Sequence, residues 1–300
     1  MEIFGNLNDS NYFNFPKLPA TTENYPQLSE TFYFMTLEKM FYREVAPSEK
    51  VRHSVLSFWE FSVEGESSRP LVHEVFPDGC INIISYRNGR TNTRQNLVAG
   101  ISLKSFTLDV YAGDVCWGMR VSPIAARKFF GLNPLEIVSQ SIEYLPNAPK
   151  NVSEIFNQLN ECESCAGAID VFENFVETVG VKRSEIDERL EKTLQILLDA
   201  GGQIKISELV ARINLSRRQL ERNFRQASGL TLKQFARVCR LRAAAINLVE
   251  ATNSNWARRA ADCGFTDQAH LTREFSLLTG RSPNSFAEMV ERIEHGNLVK

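Results

Sequence analysis

The sequence lacks the apolar run of roughly 20 residues that a membrane-spanning helix needs, so we expect no membrane partner. Its first residues, MEIFGNLNDSNYFNF, contain neither the basic segment nor the apolar core that is typical of a signal peptide. Cysteine is also scarce, since six cysteines scattered over 300 residues are too sparse for a disulfide framework. These absences predict a cytoplasmic protein in a reducing environment.

Residues with metal-binding or nucleophilic chemistry are few and do not form a recognisable site. Cys162 and Cys165 have the spacing of a redox or metal pair, but no second pair or histidine lies near them, which favours incidental cysteines. His53 and His73 lie in a β-rich region without evident carboxylate partners, which favours core or surface histidines over a metal site. We therefore expect no catalytic residue, no metal and no cofactor.

Charge is distributed unevenly along the chain. The whole sequence has a formal net charge of −2. Residues 205–300 hold 16 Lys and Arg against 9 Asp and Glu, a charge of +7, whereas the rest holds 18 against 27, a charge of −9. A basic C-terminal part is the asymmetry expected when one domain binds a polyanion. By itself it is weak evidence, because charged helices are usually only solvated.

The first half of the chain has the pattern of a β-rich domain. Residues 1–30, which are rich in Asn, Pro and Thr, are expected to form a poorly ordered arm or an extended segment. From about 32 to 122, short aromatic and β-branched runs alternate with turns at Pro77-Asp78-Gly79 and Asn88-Gly89. This pattern predicts a small barrel or sandwich. Its aromatic residues favour a core over an apolar ligand cavity: Trp59, Phe61, Phe76, Tyr86, Phe106, Tyr111 and Trp117.

After Pro123 the apolar pattern becomes helical. Helices are predicted within 134–145, 153–179 and 184–200, and Gly201-Gly202 is a good stop signal for the last of them. A domain boundary is expected near 180–185. The fold class is therefore α+β, with a β-rich domain and its helices over 31–183 and an all-α domain over 184–300.

The all-α part contains an internal repeat. LSRRQLERNFRQASGLTLKQF (215–235) aligns without a gap with TDQAHLTREFSLLTGRSPNSF (266–286), which lies 51 residues downstream. Each copy predicts a capped amphipathic helix. The paired residues are the N-caps Ser216 and Asp267, the buried Leu220 and Leu271, the buried Phe224 and Phe275, and the C-cap glycines Gly229 and Gly280. Thr231 and Ser282 are placed to cap the helix that follows each copy.

A short helix precedes each copy, at 206–213 and 256–263, and ends at a residue that tolerates positive φ, Asn214 or Gly264. Helix, tight turn and second helix form the helix-turn-helix arrangement, which places the second helix in the DNA major groove. Between the copies, residues 231–250 predict one helix of about 30 Å. Adjacent major grooves on one side of B-DNA lie about 34 Å apart, so one chain could occupy two of them.

These residues carry a resemblance to a known family. Residues from about 185 to 290 resemble the AraC/XylS-type DNA-binding domain, most specifically in GFTDQAHLTREFSLLTGRSP, and LSRRQLERNFRQASGLT fits the family too. Two residues depart from its pattern: Arg259 stands where an apolar residue is usual, and Ala287 where many members have arginine. Arg259 is expected to extend to the surface or to approach a phosphate.

The resemblance implies which residues face the bases. They are Arg218, Glu221 and Arg222 in the first unit, and Gln268, Ala269, His270 and Arg273 in the second. Arg217 and Arg225 extend the outward basic face of the first helix. Arginine bridges guanine, glutamine bridges adenine and glutamate accepts from cytosine, whereas Ala269 can only touch a thymine methyl group. The first unit is therefore expected to supply most of the affinity.

The resemblance implies a transcription regulator, more often an activator, that binds promoter DNA and acts with RNA polymerase. The N-terminal part more loosely resembles an uncharacterised domain found ahead of such DNA-binding domains, for example in VFPDGCINIISY. It is expected to sense a small effector or to dimerise. A docking surface for a regulatory protein is the alternative. A DNA-repair alkyltransferase with AraC-type helices is a remote alternative, because the sequence lacks a Pro-Cys-His-Arg stretch or a four-cysteine metal set.

Overall fold

We describe a computed structural model of the chain over residues 32–37, 40–66, 69–130, 142–143, 150–179, 187–250 and 255–294. The predicted arm at 1–30 and the predicted boundary near 180–185 lie outside these residues. The division into domains at 31–183 and 184–300 therefore stays a prediction.

The first part is built from antiparallel strands. Seven of the described strands form one sheet in the order β1-β2-β3-β8-β5-β6-β9, and β4 pairs with β7 in a separate two-stranded sheet. The strands are β1 (Phe32–Leu37), β2 (Met40–Val45), β3 (Val55–Val63), β4 (Leu71–Val75), β5 (Ile81–Arg87), β6 (Arg94–Ala99), β7 (Phe106–Val110), β8 (Val115–Val121) and β9 (Ile142–Glu143). The two predicted turns connect β4 to β5 and β5 to β6.

The rest of the described chain is helical. The helices are α1 (Ala126–Phe130), α2 (Lys150–Asn160), α3 (Cys165–Val179), α4 (Glu188–Asp199), α5 (Ile206–Ile213), α6 (Arg217–Ser228), α7 (Leu232–Glu250), α8 (Trp256–Asp262), α9 (Gln268–Thr279) and α10 (Pro283–Glu294). The predicted α+β class is confirmed: a β-rich part with helices is followed by two helix-turn-helix units joined by a long helix.

Two helical stretches predicted after Pro123 differ in part from the structure. Of the predicted helix at 134–145 only Ile142 and Glu143 lie within the described residues, and they form a strand, because they pair with Ala99 and Val98 and satisfy the open edge of β6. The stretch 153–179 is interrupted between α2 and α3, where the Ser164 hydroxyl accepts a hydrogen bond from Gly167 N–H and caps the start of α3.

The two faces of the large sheet are covered by different helices. On one face, the ring of Phe58 stacks on that of Phe172 in α3, with centroids 6.0 Å apart. On the other face, α7 lies against the turn between β4 and β5, where the backbone of Gly79 approaches Phe235 so closely that a Cβ would lie 3.0 Å from its ring. The sheet is thus buried between α3 and the helix that joins the two helix-turn-helix units.

A buried polar network lies on the face that meets α7. Arg120 Nη1 donates to Glu44 Oε1 at 2.6 Å, and Arg120 Nε donates to Asp78 Oδ2 at 2.9 Å. Burial acts to raise the pKa of Glu44, but the charges of Arg120 and of Arg242 on α7 lower it below its ordinary value. The sheet therefore meets α7 through fixed charges as well as apolar packing.

The backbone at Gly118 on β8 lies close to the indole ring of Trp59, because a Cβ there would overlap that ring. We expect Gly118→Ala to lower the free energy of unfolding by about 1–3 kcal/mol, since Trp59 must move. Gly167→Ala is the matched control: a Cβ would meet nothing nearer than the Ser164 hydroxyl at 3.5 Å. In α3 it should be neutral or stabilise by up to about 1 kcal/mol. Urea denaturation measures both, and equal effects would contradict the steric account.

Candidate nucleic-acid interface

The first helix-turn-helix unit, which we call unit 1, consists of α5 and α6. Asn214 ends α5 with φ of 55°, in the left-handed region that Asn tolerates. Ser216 then caps α6 in a complete capping box: its side chain accepts from Gln219 N–H, and the Gln219 side chain accepts from Ser216 N–H. Gly229 ends α6 with φ of 77°. The predicted caps and turn of unit 1 are all present.

The second unit, unit 2, consists of α8 and α9 and follows the same plan. Gly264, with φ of 73°, lies in the turn after α8. Asp267 Oδ1 accepts from His270 N–H at 2.7 Å and caps α9, and Gly280 ends α9 with φ of 74°. Leu271 and Phe275 are buried like their counterparts in unit 1. The sequence repeat is therefore a structural repeat.

The repeat contains a further pair of residues that sequence reasoning missed. Ser228 Oγ donates to the Phe224 carbonyl at 2.7 Å and accepts from Leu230 N–H at 3.1 Å. Its counterpart Thr279 does the same with Phe275 and Arg281, at 2.8 and 3.1 Å. Each hydroxyl thus stabilises the turn that follows α6 or α9, the second helix of its unit. The alignment of the two copies, which lie 51 residues apart, contains this signal, since it places Ser228 opposite Thr279.

The outward face of α6 is strongly basic. Arg217, Arg218, Arg222 and Arg225 are exposed, while Leu220 on the opposite side is fully buried. Glu221 is half-buried and accepts from Arg217 Nε at 2.9 Å. Three of these arginines, at positions i, i+4 and i+7, share one stripe of the helix. Their guanidinium groups are suited to bind phosphates and guanine edges.

The outward face of α9 carries less charge. Gln268, Ala269 and Arg273 are exposed. His270 is half-buried: its Nδ1 lies 3.3 Å from Thr266 N–H, which donates to it, and its ring meets the ring of Phe265 edge-on. Because Nδ1 accepts a hydrogen bond, the neutral ring carries its proton on Nε2 and can donate from there. His270 therefore has a capping role at the start of α9, and its contact with a base stays a prediction.

The long helix α7 supports both units. It has 19 residues, which corresponds to about 28 Å. Thr231 caps its start by accepting from Gln234 N–H at 3.1 Å, and Arg237 donates to Glu274 on α9 at 2.7 Å. The linker length predicted from the sequence and the capping role of Thr231 are confirmed. The two recognition helices are therefore connected through one continuous helix.

Arg259 differs from the expectation. It is buried, with 8% of its surface exposed, and its guanidinium lies 5.2 Å from the centre of the Trp256 ring. It therefore packs within unit 2 instead of extending to the surface, because the indole face offers it a partner in a desolvated position.

The other chemically reactive residues lie apart from this face. Burial raises the pKa of the Cys165 thiol to about 11, and that of Cys239 to about 12. Burial lowers the pKa of His73 to about 4, and its ring lies 4.5 Å from that of Phe61. Within the described residues, no three His, Cys, Asp or Glu side chains are grouped to hold a metal ion. In the same part of the chain, no helix is both long and apolar enough to cross a lipid bilayer.

Two family models match separate parts of the chain. Residues 209–289 match the model of a helix-turn-helix domain, and residues 43–143 match the model of a domain of unknown function, DUF6597. Among curated proteins, the Msm operon regulatory protein of Streptococcus mutans is 24% identical over 91 residues, which are 30% of this chain and 32% of that protein. The similar segment thus spans about a third of that relative.

Two solved structures are also similar to this chain. ToxT from Vibrio cholerae is 12% identical, with 74% of this chain and 96% of ToxT covered, at a TM-score of 0.41. The DNA-binding domain of AdpA, in complex with a target DNA, is 26% identical, with 36% and 96% covered, at a TM-score of 0.32.

The cap of α6 can be tested directly. We expect Ser216→Ala to lower the free energy of unfolding by about 1 kcal/mol, because it leaves Gln219 N–H without its acceptor. Ser207→Ala, at an exposed position in the first turn of α5, is the control and should change stability by less than about 0.5 kcal/mol. Denaturant titration of both variants is the measurement. Equal stability of the two would contradict the capping assignment.

Proposed function

Because the C-terminal part of this chain is an AraC-type helix-turn-helix domain, a DNA-binding domain of transcription regulators, we propose that the protein binds a specific promoter sequence and regulates transcription from it. The observation that carries the proposal is the pair of exposed outward faces on α6 and α9, joined by the 19-residue helix α7. Two such faces at this separation could enter adjacent major grooves of B-DNA.

The two units would contribute unequally to DNA binding. The arginine face of α6 would supply most of the phosphate contacts, with Arg218 and Arg222 reading guanine edges and Glu221 accepting from cytosine. On α9, Gln268 would read adenine, Arg273 guanine, and His270 would donate from Nε2. Each chain would then recognise an asymmetric site, with a longer or better-defined sequence block opposite α6.

The N-terminal part would control this binding. We propose that it senses a small effector or mediates pairing of two chains, and that the bound protein activates transcription by contacting RNA polymerase, as the family resemblance favours. The alternative is control by a regulatory protein that docks on this part. Native mass spectrometry of the purified protein separates them, because a retained small molecule adds a discrete mass whereas a docking surface retains none.

The test of DNA binding is selection of duplexes from a random-sequence pool by the purified full-length chain. We expect an enriched sequence of two blocks whose centres lie about one helical turn, roughly 10 base pairs, apart. Affinity for it should fall steeply with salt concentration. Failure to enrich any sequence would overturn the proposal, and enrichment of one block alone would overturn the role of unit 2.

Arg222 provides a test of base recognition. We expect Arg222→Ala to weaken binding to the selected duplex by about 1–3 kcal/mol and to relax the preference at one base pair, because a bidentate guanine contact is lost. Fluorescence anisotropy on duplexes substituted at each position measures this. Arg90→Ala, which removes an exposed arginine from the β5–β6 turn, is the charge-matched control and should keep the preference. A uniform loss on all sequences, with a shallower salt dependence, would instead identify Arg222 as a phosphate contact.

His270 requires a variant that separates capping from base reading. In unit 1 the matching residue is Gln219, which completes a capping box. We therefore expect His270→Gln to preserve the start of α9 but to change base preference in the second block, whereas His270→Ala should also weaken the helix start. Footprinting of both variants is the measurement, and the first block should stay protected. An unchanged footprint and preference would show that unit 2 hardly reads sequence.

A further inference from the structure

The far end of α9 is held by strands of the N-terminal part. Ser105, just before β7, donates its backbone N–H to the Leu278 carbonyl at 2.8 Å. Its hydroxyl lies 2.7 Å from Glu74 Oε1 and 3.2 Å from the Thr279 carbonyl, and can donate to one at a time. Arg281, just after α9, donates from Nε to Glu74 Oε2 at 3.1 Å. These contacts satisfy carbonyls that a helix end leaves without partners.

The internal repeat provides a comparison for this contact. Ser228-Gly229-Leu230 in unit 1 corresponds to Thr279-Gly280-Arg281 in unit 2. Both exits have the same hydroxyl bonds and the same left-handed glycine. Leu230, however, is fully buried in the core of unit 1, whereas Arg281 reaches across to Glu74. The ion pair is therefore specific to unit 2 and is not needed to make this kind of turn.

The contact is built around a buried charge. Glu74 on β4 is 3% exposed. Burial raises its pKa, and the hydrogen bonds from Ser105 and Arg281 offset part of that effect. A buried carboxylate without a cation is costly, so the arrangement strongly favours the one position of Arg281 that pairs with it. The pair thus specifies where the end of α9 lies relative to β4.

The contact leaves the DNA-reading face uncovered. Gln268, Ala269 and Arg273 remain exposed although β4 and β7 lie against the other end of the same helix. Position 280 follows the last residue of α9, about 18 Å along the axis from its first residue. The N-terminal part therefore orients α9 without blocking it.

We propose that Glu74 is a positioning residue for DNA binding: through Arg281 and Ser105, the N-terminal part fixes unit 2 relative to unit 1 and so sets the distance between the two sequence blocks that the chain accepts. We call these three residues the Glu74 clasp. This role rests on the proposed function, since it requires that both units contact DNA. A signal that displaces β4 or β7 would reach the second recognition helix through the clasp.

The experiment uses the duplex selected by the full-length chain and variants of it with one or two base pairs inserted or deleted between the blocks. Two added base pairs shift the second block by about 7 Å and turn it by roughly 70°. The wild-type protein should lose about tenfold or more in affinity, because a rigid pair of units cannot reach both blocks. Glu74→Ala should lose less than about threefold on the same insertion, since unit 2 can then reorient.

A second variant covers the case in which Glu74→Ala does not fold. Glu74→Gln combined with Arg281→Leu removes both charges, leaves no unpaired buried ion and copies the residue at the matching position of unit 1. It should relax the spacing preference in the same way. Glu177→Ala removes the exposed Lys50–Glu177 pair, 3.3 Å, inside the N-terminal part. This control should keep the wild-type preference.

The outcomes separate the two proposals. If the wild-type chain selects no duplex, the proposed function itself is overturned. If it selects one, but the clasp variants keep the wild-type spacing preference, the positioning role of Glu74 is overturned. Hydrogen exchange of the free full-length protein gives an independent readout: loss of the clasp should speed exchange at the Ser105 amide and at the start of α10, with α6 unchanged. Unchanged exchange at both places would likewise overturn the positioning role.

Discussion

The burial of α7 is the constraint on which the rest of this structure depends. The helix packs against both helix-turn-helix units and against the sheet, so few of its sides remain free. Phe235, Leu241, Ala244 and Ala245 are buried along it. Near its start, the backbone at Gly202 approaches the Ala236 carbonyl so closely that a Cβ would overlap it. A helix buried in this way cannot shift without disturbing the cores of both parts.

This burial explains why the sheet contributes charged groups at its contact with α7. Arg120 donates hydrogen bonds to both Glu44 and Asp78. The positive charge of Arg242 on α7 also helps to lower the pKa of Glu44. A network of this kind has one good arrangement, whereas apolar surfaces can slide over each other at lower cost. The ion pairs therefore favour one register of α7 on the sheet.

Much of the helical part could be predicted from sequence because its signals are local. Ser216, Asp267, Gly229 and Gly280 act within one or two turns of their own positions, so their residue types indicate their roles. The outward faces of α6 and α9 follow from the same periodicity. The placement of the base-reading residues on those faces agrees with the sequence, while their contacts with bases stay a prediction.

The features that could not be predicted all depend on distant partners. Ile142 and Glu143 become a strand because β6, more than 40 residues earlier, has an open edge. Glu74 and Arg281 are 207 positions apart, and neither neighbourhood indicates the other. Arg259 is buried because Trp256 offers it a ring face. In the internal repeat, Arg281 aligns with the buried Leu230. A charged residue aligned with a buried leucine is a sequence signal for a contact such as that between Arg281 and Glu74.

The unequal faces of α6 and α9 have a consequence for the geometry of the whole complex. Two identical units related by a two-fold axis would let the chain lie on its site in either direction with equal energy. Here four arginines face outward on one recognition helix, whereas Gln268, Ala269 and Arg273 lie on the other. If both helices bind DNA as proposed, the DNA site is directional, because its two ends differ. The N-terminal part, fixed to α7 and α9, would then always point to the same side of the promoter, and reversing the site would reverse the protein.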